Sequence, residues 1–169
     1  MSNLSSILNL IAVLATVAAV LSSTFLTRRA LRYSKSAIHV PVIIEVFNEH
    51  RSAEFVAKEL FVWREMARQS PAKGFSGLPK RLRANATAVA VFYLMVSYLS
   101  EYGISDPEML ALQMRHRLLR TWQVIEPYVK QERILRGGEF TFLNTLEVFV
   151  ERVREVDNEG IARRMLNKK

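Results

Sequence analysis

No charged side chain falls between Ser2 and Thr27. The apolar stretch inside that interval, Leu4–Leu26, is 23 residues long. At about 1.5 Å of rise per residue, a helix of this length covers roughly 34 Å, enough to cross a hydrocarbon layer of about 30 Å with some tilt. Its polar residues gather towards the ends: Ser5, Ser6 and Asn9 on one side, Ser22, Ser23 and Thr24 on the other. Between Leu10 and Leu21 only Thr16 is polar. The spacing and composition predict a membrane-spanning helix over residues 1–27. Leu10, Ile11, Val13, Leu14, Val17, Val20 and Leu21 are its anchoring side chains.

The flanks set a direction. A cleaved signal peptide needs basic residues before its apolar run and a small-residue cleavage site after it. Here Arg28, Arg29, Arg32 and Lys35 follow the run. Basic residues stay on the cytoplasmic side, so the expected topology is a single pass of the inner membrane, N-terminus outside and C-terminal part in the cytoplasm. The same four residues, within a juxtamembrane segment over 28–36, suit the headgroups of an anionic leaflet. Each is worth about 1 kcal/mol of attraction there.

About 140 residues follow the span, enough for one real core. The whole chain contains no cysteine, which excludes disulfides, thiolate metal sites and a cysteine nucleophile. Six glycines and five prolines argue against a turn-rich all-β fold or a glycine-rich phosphate loop. The expectation is an all-α cytoplasmic domain over 37–156, a bundle of about five helices, followed by a basic tail over 157–169.

Residues 37–48 carry conflicting signals. Val40, Val42, Ile43, Ile44 and Val46 favour a strand, whereas Pro41 suits the first turn of a helix. No second strand is available for pairing, so a helix is expected. Ser52 is a helix cap with Glu54 in the first turn. From there Val56, Leu60, Trp63 and Ala67 define an apolar stripe, widened by Phe55, Val62 and Met66. Trp63 is expected in the core. Ser70–Pro79 is a loop by composition. A helix should then run from about Lys80 to Tyr102 and stop at Gly103. The 16 residues Asn85–Ser100 are uncharged, too few for a span, so a central core helix is expected there rather than a second crossing. Asp106-Pro107-Glu108 starts another helix, with Met114, Leu118, Trp122, Ile125 and Val129 on its inner side. Pro127 should kink or break it, and Gly137-Gly138 should end the segment. A last helix, Phe140–Val156, carries Phe142, Leu146, Phe149, Val153 and Val156.

Catalytic patterns are missing. No paired histidines at helical spacing, no Glu-x-x-His motif, no G-x-S-x-G elbow and no phosphate loop occur. Glu45, Glu49 and His50 supply at most three poorly placed metal ligands and read as a solvated polar face. His116, between Arg115 and Arg117, reads as a surface histidine. The net charge of +8 comes from basic residues spread along the chain, and no nucleic-acid-binding signature accompanies them. No cofactor, metal or catalytic residue is expected.

The apolar pattern beginning at Phe92, then Tyr102-Gly103-Ile104, Trp122, Ile125, Pro127-Tyr128, Arg133, the glycine pair and Phe142-Leu143 form one further signal. Ser52-Ala53-Glu54-Phe55 opens a helix upstream of it. From Phe47 to Glu155 this pattern resembles a bacterial family of short proteins of uncharacterised function. The resemblance implies one N-terminal span followed by a helical cytoplasmic domain, and no catalytic residues. The function expected is a membrane-anchored protein-interaction or scaffolding module rather than an enzyme. Tyr128 and Arg133 are the candidate partner surface. Two alternatives remain open. One is an oligomeric membrane effector or small pore subunit, with Asn9, Ala12, Ala15, Thr16 and Ala19 facing other copies. The other is a cryptic enzyme acting on lipid or nucleotide.

Overall fold

The computed structural model describes residues 40–138 and 141–156, with Thr16, Ala19, Val20, Ser22, Ser23, Thr24 and Thr27 nearer the N-terminus. The chain divides into two units, Met1–Ile44 and Glu45–Lys169. In the first unit the seven N-terminal described positions are helical and exposed, and Thr24 Oγ1 donates to Val20 O at 2.8 Å. The rest of the expected span, the basic residues Arg28, Arg29, Arg32 and Lys35, and the tail after Val156 lie outside the described residues.

Every regular element among the described residues is helical. Residues 40–51 form α1. Of its β-branched residues only Val46 is buried, with His50 one helical turn further on, whereas Val40, Val42 and Ile44 are exposed. Ser52 interrupts the helix with an extended backbone, and its side chain accepts from Phe55 N at 3.1 Å, opening α2, Ala53–Met66. A short 3₁₀ turn, Pro71–Lys73, lies in the following loop, which also buries Phe75 and Leu78 in the core. The loop is therefore part of the packed structure.

Helix α3, Lys80–Glu101, ends as its sequence requires. Gly103 takes φ +64, and the backbone N–H groups of Ile104 and Ser105 both return to Leu99 O. Asp106 caps α4, Pro107–Leu135, by accepting from Glu108 N at 2.8 Å. Pro127 does not break this helix. Both Pro127 and Gln123, whose carbonyl loses its donor, lie on the exposed side, so the lost bond falls away from the core. The helix stops at Gly137 and Gly138, with φ +91 and +80. Helix α5, Asn144–Glu155, starts four residues later than the spacing suggested, after a turn in which Leu143 adopts φ 58. Arg115 closes its far end by donating to Val153 O, Arg154 O and Val156 O.

The core unites these elements. Met114, Leu118, Trp122, Ile125 and Val129 are all buried on α4, as the spacing predicts. Leu82, Ala86, Val89, Tyr93 and Val96 project from α3, and Leu146, Phe149, Val150 and Val153 from α5. Phe55 packs on Phe92 with ring centroids 4.3 Å apart.

Helix α2 departs from expectation. Its buried face is Phe55, Glu59, Val62 and Met66. Leu60 and Ala67 are exposed, and Trp63 is half-buried. The helix is rotated relative to the stripe Val56–Leu60–Trp63–Ala67 because a carboxylate occupies a core position on it.

Candidate functional site

Three features carry polar or surface chemistry: a buried network around Glu59, a second carboxylate at Glu132, and the outward face of α3.

Glu59 is 1% exposed. Its Oε1 accepts from Tyr93 Oη at 2.6 Å and from Thr121 Oγ1 at 3.0 Å. Its Oε2 accepts from Arg117 Nε at 2.6 Å. Arg117 also donates through Nη1 to His50 O at 2.6 Å and lies over the Phe55 ring. Trp63 Nε1 donates to Thr121 Oγ1 at 2.9 Å. The network therefore ties α1, α2, α3 and α4 together through one carboxylate.

This cluster has the composition of an acid–base site without its access. Both Glu59 oxygens are occupied by donors from the protein. Burial, reinforced by the Glu59 charge and hydrogen bond, pushes the Tyr93 phenol far above its ordinary range. Burial and the charges of Arg117 and Arg51 push His50 down to about 4, so it is neutral at physiological pH. The carboxylate of this buried ion pair is fully occupied and ties the helices together, while Arg117 Nη2 is buried there without an acceptor.

Glu132, 2% exposed, plays a similar part for the α2–α3 loop. It accepts from Ser76 N at 2.9 Å, from the Ser76 hydroxyl, and from Arg136 Nε at 2.7 Å. Burial alone would raise its carboxyl, but the bonds from Ser76 and Arg136 outweigh that and hold it below the ordinary value. The loop passes so close that a Cβ on Gly74 would lie 2.5 Å from Glu132 Oε2.

The candidate partner residues Tyr128 and Arg133 do not form a surface. Tyr128 is 3% exposed, and its hydroxyl donates to Met66 O at 2.7 Å and Gln69 O at 2.9 Å. Arg133 donates to Phe142 O at 2.9 Å and to Glu147 Oε2 at 2.6 Å. Both fasten the loops that flank α4. Nor is His50 part of a solvated face: its ring stacks on Phe92 at 6.0 Å inside the core, whereas Glu45 and Glu49 are exposed. His116 is at the surface, as expected. Among the described residues no three His, Cys, Asp or Glu side chains converge for a metal.

What the sequence reading left unremarked is the outer face of α3. Val91, Met95, Tyr98 and Tyr102 are 53%, 44%, 42% and 75% exposed. Ala84 and Ala88 extend the same row towards the N-terminus and are also exposed. Tyr98 and Tyr102 stack with centroids 6.1 Å apart. Helix α3 is long and apolar enough to cross a membrane by length and composition, at a mean hydropathy of 1.3, yet half of that window is buried inside the bundle. It is a core helix with a second apolar side turned outward. A groove between α2 and the start of α3, lined by Leu60, Phe61, Arg64, Arg81 and Asn85, adjoins this face.

Comparison with protein-family models, with curated proteins and with solved structures returned no match. The fold and the site define an all-α bundle with sealed polar contacts and an exposed apolar helix face.

Proposed function

We propose that the chain is a single-pass inner-membrane protein whose cytoplasmic helical bundle is a protein-interaction module. The uncharged run Leu4–Leu26 supports the anchor, and Arg28, Arg29, Arg32 and Lys35 support the orientation and contact with anionic lipid. The observation that carries the interaction reading is the outward row Val91, Met95, Tyr98 and Tyr102 on α3. Soluble surfaces rarely keep a contiguous apolar strip of this kind unless something covers it. The polar clusters, in contrast, are consumed by the fold, which favours a binding role over catalysis.

The test is a pair of charge insertions. Val91→Glu and Met95→Glu alter side chains that already face out, so folding should change by no more than about 0.5 kcal/mol. Complexes of the full chain cross-linked in native membranes should disappear. Unchanged complexes in both variants would reject this face as the interface.

A further inference from the structure

The exposed row on α3 and its C-cap residue reads Ala84, Ala88, Val91, Met95, Tyr98, Tyr102, with intervals of 4, 3, 4, 3 and 4. Alternating steps of three and four are the seam of a two-helix coiled coil, and every member of this one is exposed. The intervals read the same in both directions. The side chains do not: they are small at the N-terminal end and large at the C-terminal end.

That asymmetry selects the partner. When a second α3 lies antiparallel about a two-fold axis at the level of Tyr93, Ala84 faces Tyr102, Ala88 faces Tyr98, and Val91 faces Met95. Each pairing sets a smaller side chain against a larger one, so the layers fill evenly over roughly 27 Å. A parallel pair would set tyrosine on tyrosine at one end and alanine on alanine at the other, with crowding and a void. Charge points the same way. Lys80, Arg81 and Arg83 stand exposed at the start of α3, while Glu101, already paired with Arg152, and Asp106 lie at its end. Antiparallel packing brings the basic end of one copy to the acidic end of the other, and opposes the two helix dipoles favourably. No charge interrupts the seam between Asn85 and Ser100.

We infer that this face binds a second copy of the same chain, α3 against α3, antiparallel about Tyr93. This deepens the interaction-module reading and rests on it. A two-fold contact of this kind is self-complementary and closes at the dimer.

The cysteine-free chain allows a direct test. Full-length Ala88→Cys and Tyr98→Cys chains, carrying different tags, are expressed separately and together, and oxidised in native membranes. Together they should form a disulfide-linked mixed dimer, because the two positions face each other. Each alone should cross-link at least about tenfold less, since its own copies stand roughly 15 Å apart, beyond disulfide reach. Efficient linking by Ala88→Cys alone would overturn the antiparallel arrangement. Absence of any mixed dimer would overturn self-pairing. A photo-reactive residue at Tyr98 separates the failures: adducts with another protein and none with itself would reject the homodimer but keep the interaction module. Adducts with lipid alone would reject both.

Discussion

Replacing Glu59 by leucine should be among the most damaging single changes in the bundle. The carboxylate is the shared acceptor for Tyr93, Thr121 and Arg117. Its loss leaves the Arg117 guanidinium, on a side chain 23% exposed, without its counter-charge, and Arg117 Nη2 is already buried with no acceptor. Removing one partner of a buried ion pair costs about 3–5 kcal/mol, mostly because the other charge is stranded. Urea denaturation of a fragment comprising residues 37–169 would read this out. With a slope of about 1.5 kcal/mol per molar, the midpoint should fall by about 2–3 M. Glu59→Leu combined with Arg117→Met should recover much of that loss, because an apolar pair of similar volume avoids the stranded charge. A loss below about 1 kcal/mol in the single variant, or no recovery in the double one, would refute the ion-pair argument.

Three further outcomes follow from the same structure and a fourth from the sequence. Trp122, 1% exposed at the centre of α4, should cost about 3–5 kcal/mol when replaced by alanine, and a loss under about 1 kcal/mol in the same assay would remove it from the core. Gly74→Ala should destabilise the α2–α3 loop, since φ +60 and the approach of Glu132 both exclude a Cβ; limited proteolysis between Ser70 and Pro79 should accelerate, and an unchanged rate would contradict the close packing. His50 is held down to about 4 when folded, below its unfolded value of about 6.5, so its contribution is complete above pH 6.5 and is lost as pH falls towards 4. Stability of the wild type should therefore decline between those limits more steeply than that of His50→Gln, and parallel curves would show that His50 does not titrate within the core. Neutralising Arg28, Arg29, Arg32 and Lys35 together should weaken the orientation of the full chain, measured with a reporter fused after Lys169; an unaltered orientation would show that these residues do not set it.

Much of the architecture was legible because its signals are local. Asp106-Pro107-Glu108 caps α4 through neighbouring backbone, and Gly103 ends α3 through its own φ. The α4 stripe was readable because all its members are apolar. Helix α2 was misread because one of its four core positions is Glu59, and a periodicity search counts a glutamate as surface. The groups that make that burial tolerable, Tyr93, Arg117 and Thr121, lie 34 to 62 residues away and leave no trace near Glu59. Tyr128 and Arg133 failed as a surface for the same reason. Their residue types suit binding hot spots, but their acceptors, Met66 O, Gln69 O and Phe142 O, become visible only after folding. One clue was available: a helix apolar nearly all round has more apolar surface than one core contact needs, and α3 turns the surplus outward as the row from Ala84 to Tyr102.

Alkaline carbonate extraction tests the central claim, an anchored protein carrying a bundle that does not itself enter the membrane, most directly. It should be applied in parallel to the full chain and to residues 37–169. The full chain should stay with the membrane pellet, and the fragment should be released as helical protein, since α3 packs half of its apolar window inside the bundle. Release of the full chain would contradict the anchor. Retention of the fragment would contradict the core placement of α3 and make it a span.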